Sequence, residues 1–196
     1  MALVGGAVRD LLLHRVHNDP WLGVPDLDLV VEDPDDPGDQ AVAHRLARRL
    51  RQRLGAGVVL SSQEHRAYGT VEIQLRWEQA RVLIDLASAR SESYPVPGEN
   101  PLVRFGSLQE DLARRDFTIN AMALVLGPCR EADAGMTFTP AGLGTCLLDP
   151  HGGQRDLHHR QLRFLHPGSV RDDPTRIVRG ARYAGRMGFK LSLIHI

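Results

Sequence analysis

The stretch Pro25-Asp26-Leu27-Asp28-Leu29-Val30-Val31-Glu32 sets two carboxylates, two positions apart, at the head of a short apolar run. In a β-strand, residues i and i+2 point to the same face, so Asp26 and Asp28 project side by side while the alternating apolar residues face a core. Two carboxylates about 6–7 Å apart on a rigid strand can hold one or two hard divalent cations. The Asp-x-Asp pattern alone is more typical of an acidic turn before a strand, so neighbouring features must decide between the two interpretations.

A third carboxylate, Asp85, follows the apolar run Val82-Leu83-Ile84, which predicts another strand. A carboxylate at the end of a buried strand costs free energy unless it is paired or bound to a metal. If Asp26, Asp28 and Asp85 lie on adjacent strands, they form a metal-binding palm, in which metal ions activate a hydroxyl nucleophile and neutralise a triphosphate. The alternative is an ion pair between Asp85 and Arg90, just downstream.

A glycine pair, Gly5-Gly6, lies between an apolar strand end and a predicted helix. Such a turn can bind phosphate through bare backbone N–H groups at a helix N-terminus, although a tight structural turn has the same appearance. No Gly-Lys-Ser/Thr follows and no G-x-G-x-x-G is present, which excludes a Walker A loop and a dinucleotide fingerprint. One turn into the helix, Arg9 could fold back on the same phosphates or pair with Asp10.

Periodicity and turn residues predict the other elements. The predicted helices cover residues 7–13, 40–54, 111–126 and 174–187. The predicted strands cover residues 2–4, 27–32, 58–60, 69–75, 82–86 and 162–165, and residues 127–150 are expected to hold a hairpin. Residues 91–105, with three prolines, are predicted to form a loop.

Two polar clusters fall on predicted helices. Arg114, Arg115, Asp116 and Asn120 interrupt an otherwise apolar helix, and such groups suit ribose hydroxyls and phosphates. The sequence Asp172-Asp173-Pro174-Thr175-Arg176 opens the last helix. An Asp and an Arg held together could read a base edge, since Asp accepts from an exocyclic amine and Arg donates to ring acceptors. The alternative is a helix N-cap followed by solvated arginines.

The last helix has a predicted arginine face and a predicted core face. The arginine face consists of Arg176, Arg179, Arg182 and Arg186. The core face consists of Ile177, Val178, Ala181 and Ala184. Because nothing after this helix supplies partners for an apolar face, we expect the chain to be part of a longer protein.

Composition excludes some broad classes. The 196 residues are enough for one ample core, or for one domain and the start of another. A net charge of zero argues against a general polyanion-binding protein. No run of eighteen apolar residues and no signal-peptide pattern is present, which predicts a cytoplasmic protein without a membrane partner. The two cysteines lack a CxxC spacing and are expected to be reduced thiols.

Five strings occur in the order seen in class II tRNA nucleotidyltransferases, and the chain resembles that family. The family comprises CCA-adding enzymes with their CC-adding, A-adding and bacterial poly(A) polymerase relatives. The strings are LVGGAVRD (residues 3–10), DLDLV (26–30), RRDFTINAMA (114–123), DPHGGQRDL (149–157) and DDPTRIVRGAR (172–182). The resemblance implies an α+β fold: a nucleotidyltransferase palm over residues 1–150, with a small mixed sheet flanked by helices, then the start of a helical neck over residues 151–196.

The resemblance also implies roles for individual residues. Asp26 and Asp28 would hold Mg²⁺. The Gly5-Gly6 turn and Arg9 would contact the triphosphate. The remaining nucleotide contacts would be Arg115, Asp116 and Asn120 for triphosphate and sugar, and Asp173 and Arg176 for the base, supported by Arg179 and Arg182. Asp172 stands where the family usually has Glu.

The implied activity is the addition of CMP, AMP or both to the 3′ end of tRNA, from CTP and ATP with release of pyrophosphate. Two alternatives remain open: a poly(A) polymerase acting on other RNAs, and a non-catalytic nucleotide- or RNA-binding module. The paired aspartates favour an enzyme, because a binder of phosphates gains nothing from acids without metal. The expected partners are the tRNA 3′ end with ATP or CTP, and the oligomeric state is open.

Overall fold

The computed structural model describes residues 1–20, 23, 26–33, 35–36, 41–127, 137–138 and 145–192. Its helices are α1 Gly6–His17, α2 Val42–Leu54, α3 Leu108–Ala113, α4 Gly153–His158, α5 Ser169–Asp172 and α6 Thr175–Met187, with 3₁₀ turns at Arg66–Tyr68 and Thr118–Asn120. Its first six strands are β1 Ala2–Val4, β2 Asp26–Val31, β3 Val59–His65, β4 Thr70–Trp77, β5 Ala80–Ser88 and β6 Arg90–Ser93. The others are β7 Leu102–Phe105, β8 Ala123–Leu126, β9 Thr137–Phe138, β10 Thr145–Leu148, β11 Gln161–Leu162 and β12 Lys190–Leu191.

The main sheet is mixed and has the strand order β3-β4-β5-β2-β1-β8-β10-β9. Only the pair β2–β5 is parallel among the described strands of this sheet, and its register puts Asp28 opposite Asp85. Strands β6 and β7 form a separate antiparallel hairpin, and β11 and β12 pair in parallel. The α+β class and the mixed sheet flanked by helices are therefore confirmed.

Helix α2 covers one face of the sheet at β2 to β5. Its Ala43 and Ala47 pack against Val31 and Leu86, and Leu29 borders the same cluster. Since Leu29 and Val31 alternate with the acids along β2, the aspartates project from the opposite face. The predicted alternation along this strand is confirmed.

A second core cluster joins the two ends of the chain. The buried Phe117 packs against Phe164 with ring centroids 4.8 Å apart, and its ring edge meets Tyr183 of α6 at 5.7 Å. Val8 of α1 belongs to the same cluster. The cluster draws side chains from both sides of residue 150, and a division into domains at that residue stays a prediction.

The helix predicted over residues 111–126 is wrong. Helix α3 begins at a capping box formed by Ser107 and Glu110, and it ends at Ala113. Phe117 then forms an isolated bridge to Phe164, and the chain continues through a 3₁₀ turn into β8. Because β8 lies between β1 and β10 and gains hydrogen bonds on both edges, tertiary pairing overrides the helical pattern of the sequence.

The predicted core face of α6 is also wrong in part. Ile177 is 44% exposed and Val178 is 72% exposed, whereas Arg176 and Gly180 are buried. The helix approaches the core through Gly180, where an added Cβ would lie 3.1 Å from the Cζ atom of Phe117. The helix therefore meets the core through Gly180 together with Tyr183, Ala184 and Met187, and not through Ile177 and Val178.

Smaller differences concern element lengths. The loop predicted over residues 91–105 contains the end of β6 and all of β7, β3 extends to His65, and β11 ends at Leu162. The expected hairpin has its counterpart in the antiparallel pair β9–β10, with residues 139–144 outside the described part of the chain. Cys146 is disulfide-bonded, so the expectation of reduced thiols is wrong, because the lack of a CxxC spacing does not exclude a disulfide. In the residues described, no helix is long and apolar enough to cross a membrane.

Candidate active site

A row of carboxylates crosses three neighbouring strands on the face opposite α2. Asp28 of β2 lies beside Asp85 of β5, and Asp85 lies beside Glu72 of β4. Asp26 is two residues before Asp28 and therefore projects from the same face. The sheet thus brings together the three predicted acids and adds Glu72, which the alternation of β4 could have indicated.

The electrostatics of this row are those of an unneutralised acid cluster. Burial raises the pKa of Asp28, and Asp26 raises it further, while the Arg115 guanidinium opposes the shift. Burial also raises the pKa of Asp85, followed by repulsion from Asp28 and Glu72. Within the described chain, neither Asp28 nor Asp85 has a hydrogen bond or an ion pair. Arg90 donates hydrogen bonds to the Tyr68 carbonyl and to Glu92 instead. The alternative ion pair between Asp85 and Arg90 is therefore absent.

This donor set fits a hard divalent cation. Carboxylate oxygens are the ligands that Mg²⁺ prefers, and Mg²⁺ commonly takes one or two of them and keeps several waters. The described residues contain no cluster of three His, Cys, Asp or Glu side chains that would enclose a metal ion by itself. The aspartates would therefore supply part of a coordination shell, with water and substrate oxygens completing it.

The glycine turn lies directly against these acids. Gly5 has φ +69°, and an added Cβ there would stand 3.1 Å from Oδ2 of Asp28 and 3.5 Å from Nη1 of Arg115. Helix α1 begins at the next residue, so its N-terminal N–H groups lie beside the carboxylate row. This arrangement places a phosphate-binding backbone next to a metal-binding acid pair.

Arg9 is buried and held by protein groups. Its Nε donates to Oδ1 of Asp10 at 2.8 Å, as in the alternative considered above, and its Nη1 donates to Oδ1 of Asn120 at 2.8 Å. Its guanidinium also lies 5.2 Å from the ring centroid of Tyr183. The remaining Nη2 is 3.4 Å from the Cβ position of Gly6, so this nitrogen adjoins the glycine turn.

A buried acid that sequence reasoning missed holds the arginine pair. Asp111 is fully buried; its Oδ1 accepts from Arg114 and its Oδ2 accepts from Arg115, each at 2.8 Å. The spacing of three and four residues was the available signal. Because Asp111 holds Arg115, the other end of that guanidinium reaches Gly5.

Asp116 and Asn120 form a second buried pair. The Asp116 Oδ1 accepts from the Phe117 amide at 2.8 Å and from Nδ2 of Asn120 at 3.2 Å. Its Oδ2 makes an ion pair with Arg179 at 2.9 Å that lacks hydrogen-bond geometry. These residues come together through a 3₁₀ turn rather than through the predicted helix.

Asp173 and Arg176 meet at the start of α6. The Asp173 Oδ1 accepts from the amide of Thr175 at 2.9 Å and from its hydroxyl at 2.6 Å, so Asp173 also caps the helix. Its Oδ2 lies 3.8 Å from Nε of Arg176. The buried Arg176 guanidinium is fixed by Oγ of Ser169 at 2.6 Å and by the Arg114 carbonyl at 3.1 Å.

Further residues of the site lie on the β6–β7 hairpin, in the segment that was predicted to form a loop. The Glu92 Oε1 accepts from Arg114 at 2.8 Å and from Arg90 at 3.2 Å, and its Oε2 accepts from the Tyr94 hydroxyl at 3.1 Å. Burial and the nearby Glu92 raise the pKa of Tyr94, so its hydroxyl stays protonated. The hairpin connection also touches α5, since the Gly98 amide donates to the Asp172 carbonyl at 3.1 Å.

Two cavities meet at this place. The first, of about 360 Å³, is lined by most of the predicted nucleotide contacts: Gly5, Gly6, Arg115, Asp116, Asn120, Asp173, Arg176 and Arg179. The second, of about 420 Å³, is lined by Arg9, Asp26 and Arg182. Gly6, Asp28 and Tyr183 line both, so the Asp28 carboxylate stands between two adjoining cavities.

Comparison with known proteins gives consistent matches. The model of the poly(A) polymerase head domain matches residues 1–163. An A-adding tRNA nucleotidyltransferase of Aquifex aeolicus is 40% identical over 190 residues, which are 97% of this chain and 19% of that protein. A CC-adding tRNA nucleotidyltransferase of Deinococcus radiodurans is 40% identical over 187 residues, 95% of this chain and 41% of that protein.

A solved structure has the same fold. It is a tRNA nucleotidyltransferase complexed with a primer tRNA and an incoming ATP analogue, with a TM-score of 0.64 and 36% identity. The match covers 98% of this chain and 43% of that one. This chain therefore spans less than half the length of these relatives.

Proposed function

The chain belongs to the family of the poly(A) polymerase head domain, and from this we propose that it is the nucleotide-binding and catalytic part of an RNA nucleotidyltransferase. The reaction is the addition of CMP, AMP or both to the 3′ end of tRNA, with CTP and ATP as donors and pyrophosphate as product. The A-adding and CC-adding relatives support tRNA as the acceptor. A cytoplasmic location stays a prediction.

One observation carries the proposal: the Asp28 carboxylate adjoins the Gly5 turn, 3.1 Å from where a Cβ atom of residue 5 would lie, at the wall shared by the two cavities. A nucleotide triphosphate in the first cavity would meet the backbone N–H groups of the turn and the Arg115 guanidinium. An acceptor hydroxyl would approach from the other side of the same carboxylate. The arrangement therefore brings the two reactants together at Asp28.

We propose Mg²⁺ as the cation, held by Asp26 and Asp28 with Asp85 adjacent. When bound, it supplies positive charge beside the triphosphate and favours the ionised form of a hydroxyl group. The raised pKa values of Asp28 and Asp85 support this assignment, because a bound cation would stabilise the charged form that burial, and after it repulsion between the acids, disfavours.

The chain's own residues bind and orient the nucleotide. Arg115 and the glycine turn hold the triphosphate, Asp116 and Asn120 face the ribose, and the Asp173–Arg176 pair faces the base. The RNA 3′ oxygen forms a bond to the α-phosphorus while the bond from that phosphorus to the pyrophosphate oxygen breaks in line. The proton of the attacking 3′-hydroxyl passes to solvent, and because positioning and charge neutralisation dominate such transfers, little acid–base chemistry is needed from the protein.

A second candidate is a poly(A) polymerase acting on RNAs other than tRNA. The observation that favours it is the match to a family model described by that activity. The two activities share the donor site and differ in the acceptor. Acceptor choice therefore distinguishes them.

The test gives the 196-residue chain radiolabelled ATP or CTP, Mg²⁺ and tRNAs that lack the terminal CCA, CA or A. We expect Mg²⁺-dependent binding of ATP or CTP, and incorporation whose sequence identifies the activity. Asp28→Asn is expected to abolish incorporation, while Asp36→Asn, an exposed acid outside the row, serves as the matched control. If the chain binds neither ATP nor CTP in Mg²⁺, the proposal is wrong; incorporation into unrelated RNAs at equal rates favours the second candidate.

A further inference from the structure

The sheet has an open face that the nucleotide cavity does not use. Over β3 to β5, α2 packs on one side, and no helix of the described chain packs on the other. The exposed side chains on this open face include Ser61, Gln63, Glu72, Arg76 and Arg81. The surface is continuous with Asp85 and Asp28, so whatever lies on it reaches the carboxylate row.

Charge is distributed unevenly along the open face. Glu72, Asp85 and Asp28 form its acidic end. Arg76 and Arg81, paired across the β4–β5 hairpin, form its basic end. Arg81 and Asp85 are four positions apart along β5, a distance of about 13 Å. An anionic chain is therefore attracted at one end and repelled at the other.

The arginine pair has no intramolecular counter-ion in the part of the chain that the structure describes. Like charges directly opposite each other on neighbouring strands destabilise a sheet. Some exposed arginines of this chain offer a contrast, since Arg45 pairs with Asp33 and Arg48 lies near Glu64. An external anion that bridges Arg76 and Arg81 would remove the repulsion.

We propose that the open face binds the single-stranded 3′ end of the RNA acceptor, with Arg76 and Arg81 holding backbone phosphates upstream of the terminal nucleotide. This inference rests on the proposed function and adds the path of the acceptor strand. The strand runs from the arginine pair to the carboxylate row, where the terminal hydroxyl meets Asp85 and Asp28. The nucleotide occupies the first cavity, on the far side of Asp28, so the two reactants do not compete for space.

The test measures RNA binding by fluorescence anisotropy with the full chain. The probe is a labelled RNA hairpin with a four-nucleotide single-stranded 3′ end, titrated over a series of salt concentrations. For Arg76→Gln/Arg81→Gln we expect affinity to fall about tenfold at low salt. We also expect the slope of log K against log salt to become smaller by about 1.4, since each single-strand phosphate contact contributes about 0.7.

The matched control is Arg49→Gln/Arg53→Gln, which removes the same charge from exposed positions on α2, on the opposite side of the sheet. This control is expected to keep the wild-type slope. Binding of ATP and CTP, measured in parallel, is expected to be unchanged in both double variants. If the wild-type chain binds neither ATP nor CTP, the proposed function is contradicted, while the RNA measurement still tests the open face.

Four results would overturn the inference. One is a wild-type slope in the Arg76/Arg81 variant, and another is failure of the wild-type chain to bind the probe. The third is an equal loss of affinity for a blunt hairpin without the single-stranded end, because the arginines would then contact RNA elsewhere. An equal loss in the α2 control would likewise show that only total charge matters.

Discussion

The Asp28 carboxylate leaves little room for a side chain at Gly5: a Cβ atom added at residue 5 would lie 3.1 Å from its Oδ2 atom. The backbone at Gly5 has φ +69° and ψ −137°, a combination that residues other than glycine adopt only with strain. The turn and the acid therefore fix each other's position.

We expect Gly5→Ala to lower the free energy of unfolding by about 1–3 kcal/mol and to weaken ATP binding, because the new methyl group displaces Asp28 or Arg115. Thermal unfolding and calorimetric titration with ATP measure the two effects. Gly57→Ala is the control, since a Cβ there meets no atom within 4 Å. Equal behaviour of the two variants would contradict the contact.

The carboxylate row predicts an unusual pH dependence. An Asp carboxyl with an ordinary pKa of 3.8 titrates lower in the unfolded chain than Asp28 does in the folded one. Between the two pKa values the folded state binds more protons, so the free energy of unfolding falls as pH rises through that window. With a metal chelator present, we expect Asp28→Asn to gain stability relative to wild type between pH 4 and pH 7. If the difference in unfolding free energy between Asp28→Asn and wild type stays constant across this range, ionisation of Asp28 does not destabilise the folded chain.

Mg²⁺ should oppose the loss of stability that repulsion and burial of the carboxylates cause as pH rises. At about ten times its Kd, a ligand that binds only the folded state stabilises by about 1.4 kcal/mol. We expect such a rise in the unfolding free energy of the wild-type chain at pH 7, and little in Asp28→Asn. In transfer assays the same variant should lose at least about a hundredfold in rate, the equivalent of about 2.7 kcal/mol of charge stabilisation. Wild-type rates in Asp28→Asn would refute the metal assignment.

Asp173 offers a substitution that separates helix capping from base contact. Asp173→Asn can keep the Oδ1 acceptor that binds Thr175 while it changes the oxygen facing Arg176 into a donor. We expect stability within about 1 kcal/mol of wild type. Discrimination of ATP and CTP against GTP and UTP should fall by about 1–3 kcal/mol, roughly 5- to 150-fold. Unchanged selectivity with competing nucleotides would count against base reading by this pair.

Asp111 is predicted to be essential for the arginine cluster. Removing one partner of a buried ion pair leaves the other charge uncompensated, so Asp111→Ala should cost about 3–5 kcal/mol of stability. Asp33→Ala breaks an exposed pair with Arg45 and should cost at most about 1 kcal/mol. Chemical denaturation compares the two variants. Similar costs would mean that Arg114 and Arg115 find other partners.

Two glycines of α6 provide a matched pair. Gly180→Ala should destabilise, because a Cβ there would stand 3.1 Å from Phe117, whose buried ring has no room to move. Gly185→Ala meets no atom within 4 Å and should stabilise by about 0.5–1 kcal/mol through helix propensity. Melting temperatures that shift in opposite directions are expected. A shift in the same direction would mean that α6 does not depend on close approach at residue 180.

The parts of the fold that depend on local pattern could be predicted from sequence. The alternation along β2 separated Asp28 from Leu29 and Val31, and the glycine pair marked the turn into α1. The local pattern misled where a tertiary partner decides the structure, as in β8, whose apolar residues also fit a helix. It misled again on α6, where Gly180 rather than Ile177 faces the core.

Only those residues of the candidate site that belong to sequence motifs could be predicted. Asp28, Arg115 and Asp173 each belong to a recognisable string. Asp111 and Glu92 do not, because they act on other side chains that the fold brings to them. The hairpin that carries Glu92 was not predicted, because the three prolines of this segment favour a loop when only neighbours in sequence are considered.

The core cluster around Phe117 has a practical consequence for protein engineering. Phe117 follows Asp116 in the chain and supports α6 at Gly180, so the group that we propose to face the sugar and the helix that we propose to face the base are both positioned by one aromatic ring. Transplanting α6 from a relative with another nucleotide preference would therefore misplace both, unless the donor's counterparts of Phe117 and Phe164 were moved along with it.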